Sequence, residues 1–243
     1  MAWVELRTLI RRECAVIARY WFVTLAPPAI ASALHFAIFG TLLGDRVGQI
    51  HGVRYAEYMA PGLIALTAIP YAFTHTASGL LGARIFKFVE EMLVTPTARW
   101  VLALGYIVGG VLRGLAVAVV SAAIGLVLFD LNLRSPSLTV LALLLGTVTA
   151  AAAGLIAALL VKSFHQIAAI EAFVLVPLAI LGGVFTPVSA LPAWAQEASR
   201  WNPLFYVVDA IRNGSLESRK FLLVWQFWLR ADWQPRWRRL RHS

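Results

Sequence analysis

The chain has 243 residues, a mean hydropathy of +0.76 and a formal net charge of +9, and only 14% of its residues are charged. A soluble domain carries roughly 25% charged residues, so this composition excludes an ordinary globular protein and favours an integral membrane protein. The basic residues fall mostly in loops and tails, where they set topology and meet lipid headgroups, so we expect the lipid bilayer and not nucleic acid as their partner.

The first predicted element is an amphipathic helix over residues 3–18. Its apolar side chains are interspersed with Arg7, Arg11 and Arg12, a pattern typical of an interfacial helix that lies in the membrane surface. The stretch holds no short apolar core followed by a small-residue cleavage site, so we expect no cleaved signal peptide.

Five apolar stretches follow, each long enough to cross about 30 Å of hydrocarbon as a helix. Pro27 and Pro28 fall inside the first and are expected to bend or locally break it. The predicted fold is an all-α polytopic membrane protein, a helix bundle with five clear spans. These spans are residues 20–43, 59–81, 103–129, 138–161 and 167–185.

Small residues recur every four positions along the third and fourth predicted spans. In lipid, close backbone approach at small residues drives helix association, so we predict a tightly packed bundle. The rows are Gly110, Gly114, Ala118 and Ala122 in one span, and Gly146, Ala150, Gly154 and Ala158 in the other.

The distribution of Lys and Arg over the connections predicts the orientation. The N-terminal stretch and the connections on its side hold eight of these residues, whereas the connections on the opposite side hold three. Cytoplasmic loops carry the positive excess, so we expect a cytoplasmic N-terminus.

The segment after the fifth span combines helix breaks with short amphipathic pieces. Gly182 and Gly183 end the apolar helix, a Pro187–Pro192 turn follows, and Pro203 begins a second semi-apolar stretch. A helix that stops at membrane depth must hand its backbone groups to protein or water, so we predict a re-entrant hairpin over residues 186–206.

This segment resembles the signature of the ABC-2 type permease family in residue types and in spacing. The resemblance extends upstream to YMAPGLIAL from Tyr58, EEMLVTPT from Glu90 and LGYIVGGVLRGL from Leu104, and covers residues 3–214. The matching positions of the signature are Leu175, Leu178, Leu181, Gly182, Val184, Leu191, Pro192, Pro203, Leu204, Tyr206 and Arg212. The candidate site residues of this region are Gly182, Gly183, Pro192, Pro203, Tyr206 and Arg212.

The resemblance implies a half-transporter in the bacterial cytoplasmic (inner) membrane, with six spans and a homodimer or paired permease. It also implies a separate ABC ATPase subunit on the cytoplasmic side, which would bind ATP and Mg²⁺. None of the three lysines follows a glycine-rich phosphate loop, so we expect no cofactor bound by this chain. The substrate of the implied exporter stays open between a drug, a lipid and a glycan.

The charged connector between the second and third predicted spans reads as a short amphipathic helix ended by a proline. A short amphipathic helix of this kind can insert into a groove of a partner protein. The resemblance implies that it is the ATPase-coupling helix. The alternative is an ordinary juxtamembrane connector whose charges are solvated. The candidate coupling residues are Lys87, Glu90, Glu91, Leu93 and Pro96.

Ionisable groups at membrane depth are candidate functional residues. Arg113 in the third span and Glu171 in the fifth could pair with each other, in a structural role or in contact with substrate. His75 in the second span is expected to be a hydrogen-bonded packing residue, since no His–x–x–His or Glu–x–x–His spacing supports a metal site. No Gly–x–Ser–x–Gly turn is present, so a hydrolase triad has no support. For the implied transport subunit we expect no catalytic residue and no enzyme.

Two alternative functions stay open. A self-sufficient secondary transporter would need coupling-ion groups at mid-depth, where Arg113 and His75 are the candidates. A polytopic lipid-modifying enzyme would need clustered acids or histidines at one interface, where only Glu90 and Glu91 adjoin each other.

Residues 215–243 depart from the family pattern, which calls for a sixth span here. They hold seven of the 21 Lys and Arg and four of the nine Trp, and their only apolar run, Phe221–Leu229, is too short to span as a helix. We expect the sixth span to be missing or degraded, through a frame-shifted or truncated end. A native basic segment lying in the interface is the alternative.

Overall fold

The computed structural model describes residues 2–50, 53–88, 99–129 and 135–216. This part of the chain is helical apart from its connections and one antiparallel pair of two-residue strands, Gln49–Ile50 and Val53–Arg54. Residues 89–98, which hold most of the predicted coupling segment, and residues 217–243, which hold most of the predicted tail, lie outside the described residues.

The N-terminal helix α1, Ala2–Arg19, covers the predicted amphipathic segment. The first predicted span is α2, Trp21–His35, which continues into a π-helical segment at Phe36–Leu42. Because α2 continues through Pro27 and Pro28, the predicted local break does not occur there. Each proline lacks a backbone N–H, so α2 loses two of its backbone hydrogen bonds. The hydrogen bonds before and after the two prolines keep the helix continuous.

A short helix α3, Gly44–Val47, leads through the strand pair to α4, Tyr55–Ile85, which forms the centre of the bundle. More than half of the residues of α4 are buried, and it packs against α5, Arg99–Phe129, and α6, Pro136–Leu160. The other helices cover α4, so this second predicted span accommodates Thr, Tyr, Pro and His side chains that would be costly against lipid.

Four segments of the described chain are long and apolar enough to cross a membrane, and α4 is not among them. Its polar side chains lower its hydropathy, although its 31 residues would extend about 46 Å. The four segments are Trp21–Thr41, Arg99–Phe129, Pro136–Leu160 and Phe164–Leu181.

Glycines of the two predicted small-residue rows lie directly against α4. A Cβ atom added to Gly154 would lie 2.4 Å from the carbonyl oxygen of Phe73, and one added to Gly110 would lie 2.7 Å from that of Ala72. Any larger residue would therefore force the helices apart. The predicted close packing of the third and fourth spans is present, and the helix that both rows meet is α4.

The fifth predicted span consists of three consecutive helical segments and ends at Leu181. Gly183 follows with φ +79°, a left-handed conformation that favours glycine and commonly terminates helices. The helix therefore ends at the predicted glycine pair. Its segments are α7, Phe164–Ile170, a π-helical turn, Glu171–Leu175, and α8, Val176–Leu181.

Two short helices follow, and their junction is fastened to the end of the fifth span. The Asn202 side chain donates a hydrogen bond to the carbonyl oxygen of Leu178 at 2.5 Å, and the Ser199 hydroxyl donates to that of Leu181 at 2.8 Å. The Leu181 carbonyl lies at the helix end, where partners within the helix are missing, whereas the Leu178 carbonyl also accepts from the backbone N–H of Gly182 at 2.8 Å. The short helices are α9, Ala193–Arg200, and α10, Pro203–Leu216.

Helix α10 runs antiparallel beside the N-terminal half of α6. The backbone N–H of Ser135, just before α6, donates to the carbonyl oxygen of Gly214 at 2.8 Å. Further along α6, a Cβ added to Gly146 would lie 2.7 Å from the Val207 side chain. Gly146 lies about 15 Å along α6 from the start of that helix. The N-terminal half of α10 therefore packs against the middle of α6, away from the end at which α6 begins.

Candidate functional site

Two arginines and a histidine surround the carboxylate of Glu13. Arg12 Nη2 lies 3.7 Å from Glu13 Oε1, while Arg113 Nη2 and His75 Nε2 lie 3.8 Å and 3.9 Å from Oε2. Arg12 and Glu13 belong to α1, His75 to α4 and Arg113 to α5. The cluster therefore joins the N-terminal helix to two helices of the bundle.

The carboxylate of Glu13 is charged at neutral pH. The contact with His75 contributes most to lowering the pKa of Glu13, and the charges of Arg113 and Arg12 lower it further, whereas burial acts in the opposite direction. The side chains of Glu13 and Arg113 are only 15% and 20% exposed. Each therefore offsets much of the cost of shielding the other from water.

Gly109 on α5 leaves room for the Glu13 side chain. A Cβ atom at Gly109 would lie 3.3 Å from the carboxyl carbon of Glu13 and 3.4 Å from its Oε2. This approach seats α1 against α5 one helical turn before Arg113.

The Glu13 cluster (Arg12, Glu13, His75 and Arg113) forms one wall of a cleft of about 630 Å³ between α1, α4 and α5. The cleft reaches Phe88, the last described residue of the predicted coupling segment before residues 89–98. Lys87, a candidate coupling residue, lies in the turn that ends α4 and has φ +61°, which is uncommon for a residue with a side chain. The site therefore adjoins the connector.

Glu90, Glu91, Leu93 and Pro96, the remaining candidate coupling residues, lie outside the described residues. Their role stays a prediction.

The predicted pairing of Arg113 with Glu171 is wrong. Arg113 faces Glu13 instead, and Glu171 accepts a hydrogen bond from the hydroxyl of Thr74 at 2.6 Å. Thr74 and His75 are neighbours on α4, and successive residues of a helix point about 100° apart. The third and fifth spans therefore meet α4 on different faces, which separates the two charged groups.

Arg212 of the family signature joins α10 to α4 and to the end of the fifth span. Its Nε donates to the carbonyl oxygen of Tyr58 at 3.3 Å, and its Nη2 donates to that of Gly183 at 2.6 Å. The guanidinium also lies 4.0 Å from the centroid of the Tyr58 ring, within cation–π range. One side chain thus closes the turn after the fifth span onto α4.

The other signature residues hold the ends and turns of the same hairpin. Gly182 follows the last residue of α8, Pro192 immediately precedes α9, and Pro203 is the first residue of α10. The Tyr206 hydroxyl donates to the carbonyl oxygen of Arg200 at 2.8 Å, which ties α10 to the end of α9. The structure thus brings Gly183 and Arg212 into contact, whereas Tyr206 makes a hydrogen bond only six residues away along the chain.

Sequence reasoning missed Glu13. In the sequence, Glu13 lies among arginines on an amphipathic helix, which suggests that it pairs with one of those neighbours. Arg113 lies 100 residues further along the chain, so no local sequence pattern links the two. The available signal was the cost of leaving Arg113 unpaired at mid-helix, which demands an acid from some neighbouring element.

A second missed feature is a hydroxyl network inside the bundle. The Ser121 hydroxyl lies 2.7 Å from that of Ser32 and 2.9 Å from that of Thr67, which joins α5 to α2 and α4.

Among residues 2–50, 53–88, 99–129 and 135–216, no group of three His, Cys, Asp or Glu could hold a metal ion.

Comparison with known proteins identifies relatives over most of the chain. Residues 4–216 match the family model for the ABC-2 type transporter. The inner membrane transport permease YadH of Escherichia coli K12 is 38% identical over 225 residues, which cover 93% of this chain and 88% of the relative. Nodulation protein J of Rhizobium leguminosarum bv. trifolii is 31% identical over 181 residues, 71% of this chain and 66% of the relative. Nodulation protein J of Rhizobium meliloti is 28% identical over 178 residues, with the same coverage.

Proposed function

The chain belongs to the ABC-2 type transporter family, and we propose that it is the permease subunit of an exporter driven by a separate ABC ATPase. It is a multi-pass protein of the cytoplasmic membrane, and permeases of this family generally pair with such an ATPase. The observation that carries the proposal is the family match across residues 4–216. ATP and Mg²⁺ would bind to the partner, and this chain would do no covalent chemistry.

The connector between α4 and α5 is the proposed route by which ATP hydrolysis moves the permease. It joins the ends of two helices that pack on each other along the centre of the bundle. The guanidinium of Arg84, at the end of α4, donates to the carbonyl oxygen of Ala158 near the end of α6. A push on the connector from the ATPase would therefore reach three helices together.

The hairpin of α9 and α10 is proposed to be re-entrant from the side opposite the ATPase. Contact of Val207 with Gly146, about 15 Å along α6, supports a hairpin that dips below the helix ends. The bond of Ser199 to the Leu181 carbonyl satisfies a backbone group that lipid could not satisfy, and the bond of Asn202 to Leu178 ties the hairpin to the same helix end.

A second permease copy is proposed to cover the first and fifth spans. Only 17% and 11% of their apolar stretches are buried within the chain, against 33% and 39% for α5 and α6. Facing copies would enclose a pathway between these poorly covered helices, and its substrate would be a drug, a lipid or a glycan. The N-terminus is proposed to be cytoplasmic, since its side of the sequence holds the basic excess.

The proposal is tested by purifying the tagged protein from its own host in mild detergent and identifying what accompanies it. We expect a soluble protein with a Walker motif in stoichiometric amount, and we expect the double variant Glu91→Ala, Pro96→Ala to lose it. Glu57→Ala is the matched control, because Glu57 pairs with Arg54 at the opposite end of α4. A folded permease that always purifies alone would contradict the proposal.

A further inference from the structure

The Glu13 cluster carries more positive than negative charge. Arg12 and Arg113 each carry one positive charge, and Glu13 supplies the only carboxylate among the described residues that line the cleft. This described lining therefore retains a positive excess of at least one unit, even with His75 neutral. In a cleft shielded by helices, such an excess attracts an anion.

The polar atoms of the Glu13 cluster are paired loosely. Its three N···O distances are 3.7 to 3.9 Å, longer than the 2.7–2.9 Å typical of charge-assisted hydrogen bonds. The buried atoms Glu13 Oε2 and Arg113 Nε make no hydrogen bond to the described part of the protein. The Nε of Arg113 thus retains capacity to donate to another oxyanion.

The remaining described lining is mostly apolar, with Ser78 and Tyr106 as its polar side chains. The apolar side chains include Val16, Phe86, Leu102 and Phe164, none of which would favour a small hydrated anion. The volume of about 630 Å³ lies in the range of ligand pockets, which are mostly apolar with a few convergent polar groups. The combination fits an amphiphile with an anionic head and an apolar body.

We propose that the cleft between α1, α4 and α5 binds the anionic headgroup of a lipid from the cytoplasmic leaflet. Helix α5 has 31 residues and would extend about 46 Å, so roughly a third of it projects beyond 30 Å of hydrocarbon. By the proposed orientation, Leu102 near the inner end of α5 lies in the headgroup region, and Arg113, about 21 Å from that end, lies deeper. The cleft therefore runs from the headgroup region into the membrane. Basic pockets between membrane helices on the cytoplasmic side are known to bind acidic headgroups.

The inference rests on the proposed orientation but not on a partner ATPase. Its test uses the full chain purified alone, so failure of the lipid site and failure of the exporter proposal are distinguishable. Native mass spectrometry would measure retention of dioleoyl phosphatidylglycerol and dioleoyl phosphatidylcholine added to the protein in detergent. We expect phosphatidylglycerol to be retained several-fold more than phosphatidylcholine, because only the former carries a net negative charge.

Variants of the two arginines test which side chains bind the headgroup. Arg12→Gln and Arg113→Gln should each lower retention of phosphatidylglycerol about five-fold, whereas Arg113→Lys should keep most of it, since a point charge remains. The Arg12 side chain is 65% exposed, so its loss does not threaten folding. Arg54→Gln, at the opposite end of α4, is the matched control and should bind as the wild type does.

Two results would overturn the inference. One is equal retention of phosphatidylglycerol by Arg12→Gln and Arg54→Gln. The other is complete displacement of phosphatidylglycerol by millimolar inorganic phosphate, because an anion without an apolar body would then suffice. A nitroxide on Cys14, which is exposed on α1 beside Glu13, checks that α1 remains in place in each variant.

Discussion

At the scale of single side chains, Glu13 supplies the charge that makes Arg113 tolerable in the middle of α5. A guanidinium shielded from water without a partner costs several kcal/mol. The folded-state pKa of Glu13 is lowered from the usual value of 4.5. Its contribution to stability is therefore complete above about pH 4.5 and is lost as the pH falls through the lowered folded-state pKa.

Glu13→Gln should loosen the attachment of α1 to α4 and α5. A nitroxide on Cys14, the only cysteine of the chain, should be more mobile at neutral pH in this variant than in the wild type. The wild type should reach the same mobility only in acid, when the carboxylate is protonated. Glu197→Gln is the control, since Glu197 forms an exposed pair with Arg200; equal mobility of Glu13→Gln and the wild type at neutral pH would refute the anchor.

Arg212 should contribute much more to stability than the nearby Arg200. Arg212→Gln breaks two bonds to the carbonyls of Tyr58 and Gly183 and a cation–π contact, so the free energy of unfolding should fall by about 2–4 kcal/mol. Arg200→Gln removes only an exposed ion pair with Glu197, worth about 0–1 kcal/mol. Titration with SDS in mixed micelles measures both, and similar losses would contradict the assigned role of Arg212.

At the scale of the elements, sequence reasoning located most of the helices and could not orient them. Apolar runs and the pair Gly182–Gly183 predicted where spans begin and end. Both signals can be recognised within a short stretch of sequence, because a span needs a fixed number of apolar residues and glycine can end a helix by its own conformational freedom. The partner of Arg113 could not be predicted in this way. Position along a helix can be counted in the sequence, whereas the rotation of a helix relative to its neighbours depends on how all of them pack.

The central position of α4 shows a second limit of sequence reasoning. The apolar stretch at residues 59–81 predicted a span there, although α4 is not among the four candidate spans of the described structure. A helix surrounded by protein no longer needs an apolar face toward lipid, so hydropathy underestimates its depth. More than half of the residues of α4 are buried, and nothing in the sequence predicted that the other helices would surround it.

Adding one methyl group at two glycines should have opposite effects. Gly154→Ala puts a Cβ 2.4 Å from the carbonyl oxygen of Phe73, and the free energy of unfolding should fall by about 1–3 kcal/mol. At Gly79 the nearest atom would be a Tyr106 ring carbon at 3.5 Å, so Gly79→Ala should gain up to about 1 kcal/mol from helix propensity. The same SDS titration measures both changes, and a stable Gly154→Ala would disprove backbone contact between α4 and α6.

At the scale of the whole molecule, the described helices have two ends with different features. The inner end, by the proposed orientation, holds α1, the Glu13 cluster and the residues from the end of α4 to Phe88. The outer end holds the hairpin of α9 and α10, fastened by Arg212. The match with YadH takes in 93% of the 243 residues and so necessarily extends past Gly214, although residues 217–243 lie outside the described residues.

The central claim is that an ATPase presses on the connector between α4 and α5. It is tested most directly by cross-linking from single cysteines in a Cys14→Ser background, after co-purification from the native host. Leu93→Cys on the connector should form an adduct with a protein that carries a Walker motif, whereas Arg54→Cys at the opposite end of α4 should form none. An adduct from position 54 alone would reverse the orientation, and absence of any such adduct from position 93 in the folded protein would contradict the account.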